Sequence, residues 1–192
     1  MAQQRASQIA SHNVANAATP GFHRQETLFA AAGAPTYGVR SSDVRRVVDG
    51  LLEQRLRLQL GGSTFADTRA SFLGQIENSL GDLGDNGLSG SLDQFFGGWR
   101  DLTSRPEDPI VRAQVLGRTE ALARAVRQSA SDLKTVQTSA DREIVQRTGE
   151  VNALLQQVAA LNQSISANEV SGQEASDLRD QRDTLVSNLA EL

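Results

Sequence analysis

Apolar side chains recur at helical rather than strand spacing over most of this chain. The longest stripe runs Val111, Val115, Leu122, Val126, Leu133, Ala140, Ile144, Val151, Leu154, Val158, Leu161 and Ile165, in steps of three, four or seven. It advances 54 residues, about 15 turns at 3.6 residues per turn, so the spacing predicts one nearly straight helix on the order of 85 Å long. Asp108 and Pro109 supply its N-cap and first-turn pair, and no proline follows. A second stripe repeats every seven residues at Val44, Leu51, Leu58, Phe65 and Phe72, widened by Val47, Val48, Leu52, Leu56, Leu73, Ile76 and Leu80. Ser42 or Asp43 would cap that helix, Gly61-Gly62 is a point where it can bend, and the run GDLGDNGLSG ends it. Ser91 and Gln94 read as a capping box for a short helix presenting Leu92, Phe95, Phe96, Trp99 and Leu102 on one face. Phe95, Phe96 and Trp99 are expected to pack as a plug across the long helices. Asn168 to Gly172 turns the chain, and Leu178, Leu185, Val186, Leu189 and Leu192 mark a final helix.

The N-terminal stretch is different. Ala6, Ile9, Ala10, Val14 and Ala17 form a narrow stripe, too weak to hold a short helix in water without a partner. Asn16 is the expected exit residue, since Asn tolerates the left-handed conformation. Pro20-Gly21 then suits the centre of a type II turn, with proline fixing the first φ and glycine accepting a positive second one. Residues 23–42 carry Gly33, Pro35 and Gly38 as punctuation and are expected to be irregular or loosely extended. The predicted fold is therefore all-α: an elongated antiparallel helical bundle with one very long helix, a short N-terminal helix and an irregular or extended hinge segment. The corresponding division is an assembly helix over 1–18, the hinge and linker over 19–42, and a helical rod domain over 43–192.

Composition narrows the class. Aromatics are only 4% and hydrophobics 39% of the 192 residues, which favours slender Leu/Val/Ala seams over a thick sandwich core. The net charge of −4 is spread along the chain with both signs interleaved, so no basic patch points to nucleic acid. Cysteine is absent, which excludes disulfide and thiolate chemistry. No apolar run approaches the roughly 18 residues of a membrane span, and no cleavable signal pattern opens the chain.

Candidate chemistry is sparse. His12 and His23 flank the turn without carboxylates at ligand spacing, so exposed or hydrogen-bonded roles are expected rather than a metal site. The stretch from Asp82 to Asp93 places Asn86 and Gly87 at calcium-loop positions but has Gly84 where a ligand belongs, so a glycine-rich turn is the better reading. Asp177, Asp180 and Asp183, with Arg179 and Arg182 interleaved, are expected to form a solvated or interfacial ion-pair face. No nucleophile stands beside a base and no phosphate-cradling loop precedes a helix. No catalytic, cofactor or metal residues are therefore assigned, and no small-molecule substrate is expected.

The stretch from Asn13 to Phe22, with Asn13, Asn16, Thr19, Pro20, Gly21 and Phe22, resembles the N-terminal signature of the axial proteins of the bacterial flagellum. Arg24-Gln25, Gly38-Val39, Val44 to Asp49, Leu51-Leu52 and Gln54 to Arg57 are similar in particular to the FlgK family of hook-associated proteins. So are Gln75 to Asn78, Leu88-Ser89, Phe95-Phe96 with Trp99, Asp108-Pro109 and the block from Leu178 through Asp180, Gln181, Arg182 and Asp183. The resemblance implies a structural subunit at the hook–filament junction that self-assembles and joins hook to filament. It also implies an extracellular location in the flagellum after unfolded type III export without a cleaved signal. The implied partners are copies of the chain in a ring, hook subunits, the next hook-associated junction protein and the export apparatus. In that setting Asn13, Asn16, Thr19, Pro20, Gly21, Phe22 and Arg24 are the expected assembly hinge. Family members carry a further apolar helix before the point of Met1 and outer domains beyond Leu192, so the chain reads as a fragment without the C-terminal chaperone segment. Phe22 replaces the Tyr common in the motif and loses its hydroxyl. A non-flagellar helical coiled-coil adaptor or signalling module, which would be a stable parallel dimer, and a rod or hook axial subunit, which would continue in β-structure, are the alternatives.

Overall fold

The computed structural model describes residues 2–32, 38–80, 87–170 and 174–192. Among the described residues, five α-helices and two strands follow in the order α1 (Ala2–Ala15), β1 (Gln25–Ala32), β2 (Gly38–Arg46), α2 (Gly50–Leu80), α3 (Leu88–Ser104), α4 (Pro109–Glu169) and α5 (Ser176–Ala190). The architecture is mostly all-α, with the very long helix and the short N-terminal one that the periodicity predicts. The chain divides into two compact units, residues 1–64 with 147–192, and residues 65–146.

In the first unit, β1 and β2 pair antiparallel from Gln25↔Arg46 to Ala32↔Gly38, with a register shift between Leu28 and Phe29. The segment expected to be irregular or loosely extended is extended, and it pairs with itself as a hairpin at 25–32 and 38–46. Val39, Val44, Thr27 and Phe29 suit a pleated, half-buried ribbon, and cross-strand pairing satisfies the backbone groups that a loose segment would leave to water. Gly33 and Pro35 lie outside the described residues. The hairpin also moves the start of α2. Asp43 sits in β2, and Asp49 caps the helix instead: its Oδ1 accepts from the N–H groups of Leu51 and Leu52, each at 3.1 Å. Neither Ser42 nor Asp43 is the cap, because the β-branched run ending at Val48 is better used beside β1. α1 lies against the hairpin.

α4 and α5 are antiparallel within this unit, with Glu169 beside Arg179 at one end and Arg147 reaching the Leu192 carbonyl at 3.4 Å at the other. Gly61 lies within α2, which runs unbroken through it. It lets α2 approach α5, since a Cβ there would stand 2.7 Å from the Ala190 carbonyl oxygen, whereas the Gly62 position is open.

In the second unit, α3 begins at Leu88 with Gly87 as its extended N-cap, and the Ser91 N–H already donates to the Gly87 carbonyl at 2.9 Å. Ser91 is therefore inside the first turn and forms no capping box with Gln94. α3 meets α4 through buried Gly98, packed on Val115 and the aliphatic stem of Arg118, whose guanidinium donates to the Gln94 carbonyl at 3.2 Å. Asp108 caps α4 as expected, its Oδ1 accepting from the Ile110 N–H at 2.9 Å. Phe95 contacts Phe96 and Trp99 edge-on at 5.2 and 6.2 Å, but Phe96 and Trp99 remain 57% and 49% exposed, so the cluster is not a buried plug. The residue of α3 buried against α4 is Gly98, not the rings of Phe96 or Trp99. Positions 81–86, including the calcium-like Asp82 and Asn86, and the turn at 171–173 lie outside the described residues.

The close approach of α2 to α5 gives an opposed pair of variants. Gly62→Ala should stabilise the fold by up to about 1 kcal/mol through helix propensity. Gly61→Ala should lose that gain and destabilise by about 1 kcal/mol or more, because its methyl meets a backbone oxygen. Urea unfolding of both variants measures the difference.

Candidate assembly hinge and its polar anchor

The turn after α1 has the conformation its residues dictate. Phe22 N–H donates to the Thr19 carbonyl at 3.2 Å, Pro20 takes the first central position and Gly21 the second at φ +77°. Asn16 ends the helix without entering the left-handed region, which no described non-glycine residue occupies. It works instead through its side chain: Nδ2 donates to the His12 carbonyl at 3.0 Å, and Oδ1 accepts from the Thr19 hydroxyl at 3.3 Å. Asn13 bridges forward. Its Oδ1 accepts from the Gln25 N–H and its Nδ2 donates to the Gln25 carbonyl, both at 2.9 Å, so one amide serves the first residue of β1 as a strand neighbour would. Phe22 sets its ring at 5.4 Å and 76° to the imidazole of His12.

The turn is seated on α5. Gln25 and Arg46 are direct cross-strand partners and so share one face of the hairpin, while Asp177, Asp180 and Asp183 fall on one face of a helix. The two faces meet. Gln25 Nε2 donates to Asp177 at 2.8 Å, and Arg46 donates to Asp180 at 2.6 Å and Asp183 at 2.8 Å. His23, two residues before Gln25 in extended chain, adds its backbone N–H to Asp180 at 3.1 Å and sets Nδ1 2.8 Å from the same carboxylate. Its Nε2 faces Glu53 of α2 at 3.3 Å. Asp180 is only 7% exposed. Of the two expected settings, solvated or interfacial, Asp180 takes the interfacial one, because carboxylates on one helix face find a cation on a distant strand as well as on their own helix. Gln181 stays exposed and lines, with His12, Thr19, Pro20, Phe22 and Asp177, a cavity of about 250 Å³ beside the turn. Gly21 touches Thr184 so closely that any Cβ would collide with its hydroxyl, which itself donates to the Asp180 carbonyl at 2.9 Å. Arg24 points away and pairs with Glu26 at 2.6 Å on the exposed side.

Charge is balanced locally. Burial opposes ionisation of Asp183, but donation from Arg182 and Arg46 outweighs it and holds this carboxyl below its usual range. Burial likewise opposes charge on Arg46, and Asp180 and Asp183 more than restore it, raising its pKa. At the α4–α5 turn, Arg179 grips Glu169 with two bonds of 2.7 Å and the Ala175 N–H adds a third at 3.0 Å. Those contacts hold Glu169 at about 2.

Sequence reasoning thus finds the turn residues and the Asp180 to Asp183 block. It misses that they form one site, and it misses Arg46, Glu53 and Thr184 as members. The available signal was three carboxylates on one helix face with only two arginines among them. The Phe95, Phe96 and Trp99 cluster belongs to the other unit. Among the described residues no group of metal-ligating side chains is assembled, and no helix is long and apolar enough to cross a membrane.

The turn and the carboxylates at this site are taken up by structural hydrogen bonds on a helical scaffold, the pattern of a structural protein. The family model described as flagellar hook-associated protein FlgK helical domain matches residues 73–192. Relatives carrying the name flagellar hook-associated protein 1 match over almost the full chain. The Bacillus subtilis (strain 168) protein is 31% identical over 205 residues, covering 100% of this chain and 40% of the relative. The Salmonella typhimurium protein is 34% identical over 197 residues, with 98% and 35% covered, and the Escherichia coli (strain K12) protein 30% identical over 200 residues, with 100% and 36% covered. The chain belongs to the FlgK family of flagellar hook-associated proteins, and it spans 35% to 40% of the length of these relatives.

Asp180→Asn should destabilise the chain by about 3 kcal/mol, because Arg46 and His23 lose a buried carboxylate, whereas Gln181→Ala one residue away should change stability by less than about 0.5 kcal/mol. Urea unfolding distinguishes the two. Because Glu169 is depressed from an ordinary 4.5 to about 2, its clasp is complete above 4.5 and is lost as pH falls through about 2. A carboxyl-carbon NMR titration should place the Glu169 midpoint there, and Arg179→Ala should return it towards the ordinary range.

Proposed function

We propose that this chain is part of a structural, non-enzymatic subunit of the bacterial flagellum that assembles with copies of itself at the hook–filament junction and joins hook to filament. The observation that carries the reading is the contrast between a rigid exit and an unburied tail. The turn from Thr19 to Phe22 is fixed on α5, yet α1 buries none of its residues, and Val14 is 78% exposed. An isolated 14-residue helix is marginal in water, so most of its stability must come from a surface supplied elsewhere. A subunit that adds to a tube has this need: its terminal segment gains order from neighbours while its direction of departure is set in advance.

In this reading residues 1–18 are the assembly segment, 19–42 the hinge and linker, and 43–192 the helical support. Asn13, Asn16, Thr19, Pro20, Gly21 and Phe22 set the departure angle, and Asp180 with Asp183 holds it from α5. The partners are copies of the subunit, hook subunits and the next hook-associated protein, reached after export through the flagellar apparatus to the cell exterior. The relatives' shared name supports the flagellar setting.

The test is made in the parent protein. Pro20→Ala with Gly21→Val removes the preset φ and places a side chain against Thr184. Cells carrying that pair should export the subunit yet fail to retain filaments on their hooks. Normal filament growth and motility would remove the proposal.

A further inference from the structure

His23 leaves the turn with each ring nitrogen facing a carboxylate oxygen, Nδ1 at 2.8 Å from Asp180 and Nε2 at 3.3 Å from Glu53. An ionised carboxylate only accepts hydrogen bonds, and a neutral imidazole has one N–H and one lone pair. Both contacts can therefore be hydrogen bonds only when the ring is the doubly protonated imidazolium. We propose that His23 is a pH-operated latch: protonated, it ties the Thr-Pro-Gly exit to both α5 and α2, and loss of one proton releases the tie to α2 alone.

The two ties are not equivalent. Asp180 also receives the His23 backbone N–H at 3.1 Å, which fixes the residue against α5 whatever the ring does. The remaining N–H of a neutral ring is thus best placed on Nδ1, at the shorter contact. That leaves the Nε2 lone pair directed at Glu53, an arrangement that repels. Glu53 has a substitute, since Arg57 one turn along α2 donates to it at 3.2 Å. The charged groups around the ring come from every element packed on it. Asp180 and Glu53 touch it directly. Arg46 of β2 shares the Asp180 oxygen at 2.6 Å and bonds Asp183, opposing charge on the ring, as does Arg57 through Glu53. His12 of α1 lies beyond Phe22, 3.8 Å from Asp177. The sign follows from the donors. The α2 tie needs the second ring proton, so it is present at the lower pH and lost when that proton leaves. This latch stands on contacts inside the chain and does not rest on the flagellar role.

The experiment combines imidazole nitrogen NMR with amide hydrogen exchange on the 192-residue chain at about pH 5.5 and about pH 8. Exchange is corrected for its intrinsic pH dependence. At the lower pH both His23 nitrogens should be protonated, and amides of the first turns of α2 should be roughly two- to fivefold more protected than at the higher pH, the range expected of one partly exposed charge pair. Glu53→Gln should abolish or invert that difference, because a glutamine amide can donate to the neutral Nε2. His12→Gln should leave it unchanged. Equal protection at the two pH values in the unaltered chain, a difference that survives Glu53→Gln, or one that vanishes with His12→Gln would overturn the latch.

Discussion

One buried carboxylate organises the N-terminal half of this structure. Asp180 accepts from Arg46, from the His23 backbone and from the His23 ring, so a strand end, a turn exit and a helix converge on two oxygens. A charge this enclosed is costly to desolvate and is tolerated only when its lone pairs are filled. Filling them requires the donors to arrive at defined positions, and that requirement fixes the geometry. Gln25 and Arg46 must be opposite each other in the hairpin, His23 must precede Gln25 in extended chain, and Gly21 must be glycine so that the turn can settle onto Thr184.

Apolar burial does not perform this task. Among the described residues only Val111, Val115 and Ile165 are buried hydrophobics, and two of these lie in the unit formed by residues 65–146. The unit that carries the hinge has Gln25, Ser176 and Asp180 as its buried polar residues. Apolar contacts are non-directional, so a greasy joint between turn and α5 would hold the chain without specifying its angle. Hydrogen bonds from planar amides, a guanidinium and an imidazole to carboxylates are directional, and they specify it.

The parts of this arrangement differ in how visible they were beforehand. Helices α2, α3, α4 and α5 follow from apolar periodicity, and the type II turn follows from Pro20-Gly21, because both are local consequences of side-chain spacing and backbone sterics. Residues 23–42 read as irregular or loosely extended because Gly33, Pro35 and Gly38 punctuate them; pairing between the strands and contact with α1 make the ordered hairpin, and local spacing does not show either. Residues 44–48 show the competition directly. Val44, Val47 and Val48 fit the seven-residue helical stripe, yet Asp49 caps α2 and the β-branched run goes to β2 and its exit. The role of Asp180 was hidden for a related reason. Its spacing with Arg179 and Arg182 describes a surface helix well, and only the fold brings Arg46, 134 residues away along the chain, onto the same face.

That separation has a consequence for order of formation. Beside the local bonds of Asn13 and Asn16, the exit is tied by His23, Gln25 and Arg46 to residues 174–183, so its final direction depends on chain far away in sequence. Before α5 is present, Thr-Pro-Gly can adopt its turn, since that conformation is set by proline and glycine themselves. The turn then has no α5 to sit on, and the short helix before it has only the hairpin to pack against. Once α5 lies along α4, the Asp177–Asp180–Asp183 face offers all its acceptors together, and the hairpin base supplies the matching donors as a preformed pair. Closing so long a loop carries an entropic cost that rises only slowly with length, and the charge-assisted bonds at the junction oppose it. The chain exit therefore draws its direction partly from residues far away in sequence, and losing those donors or acceptors would free it from α5.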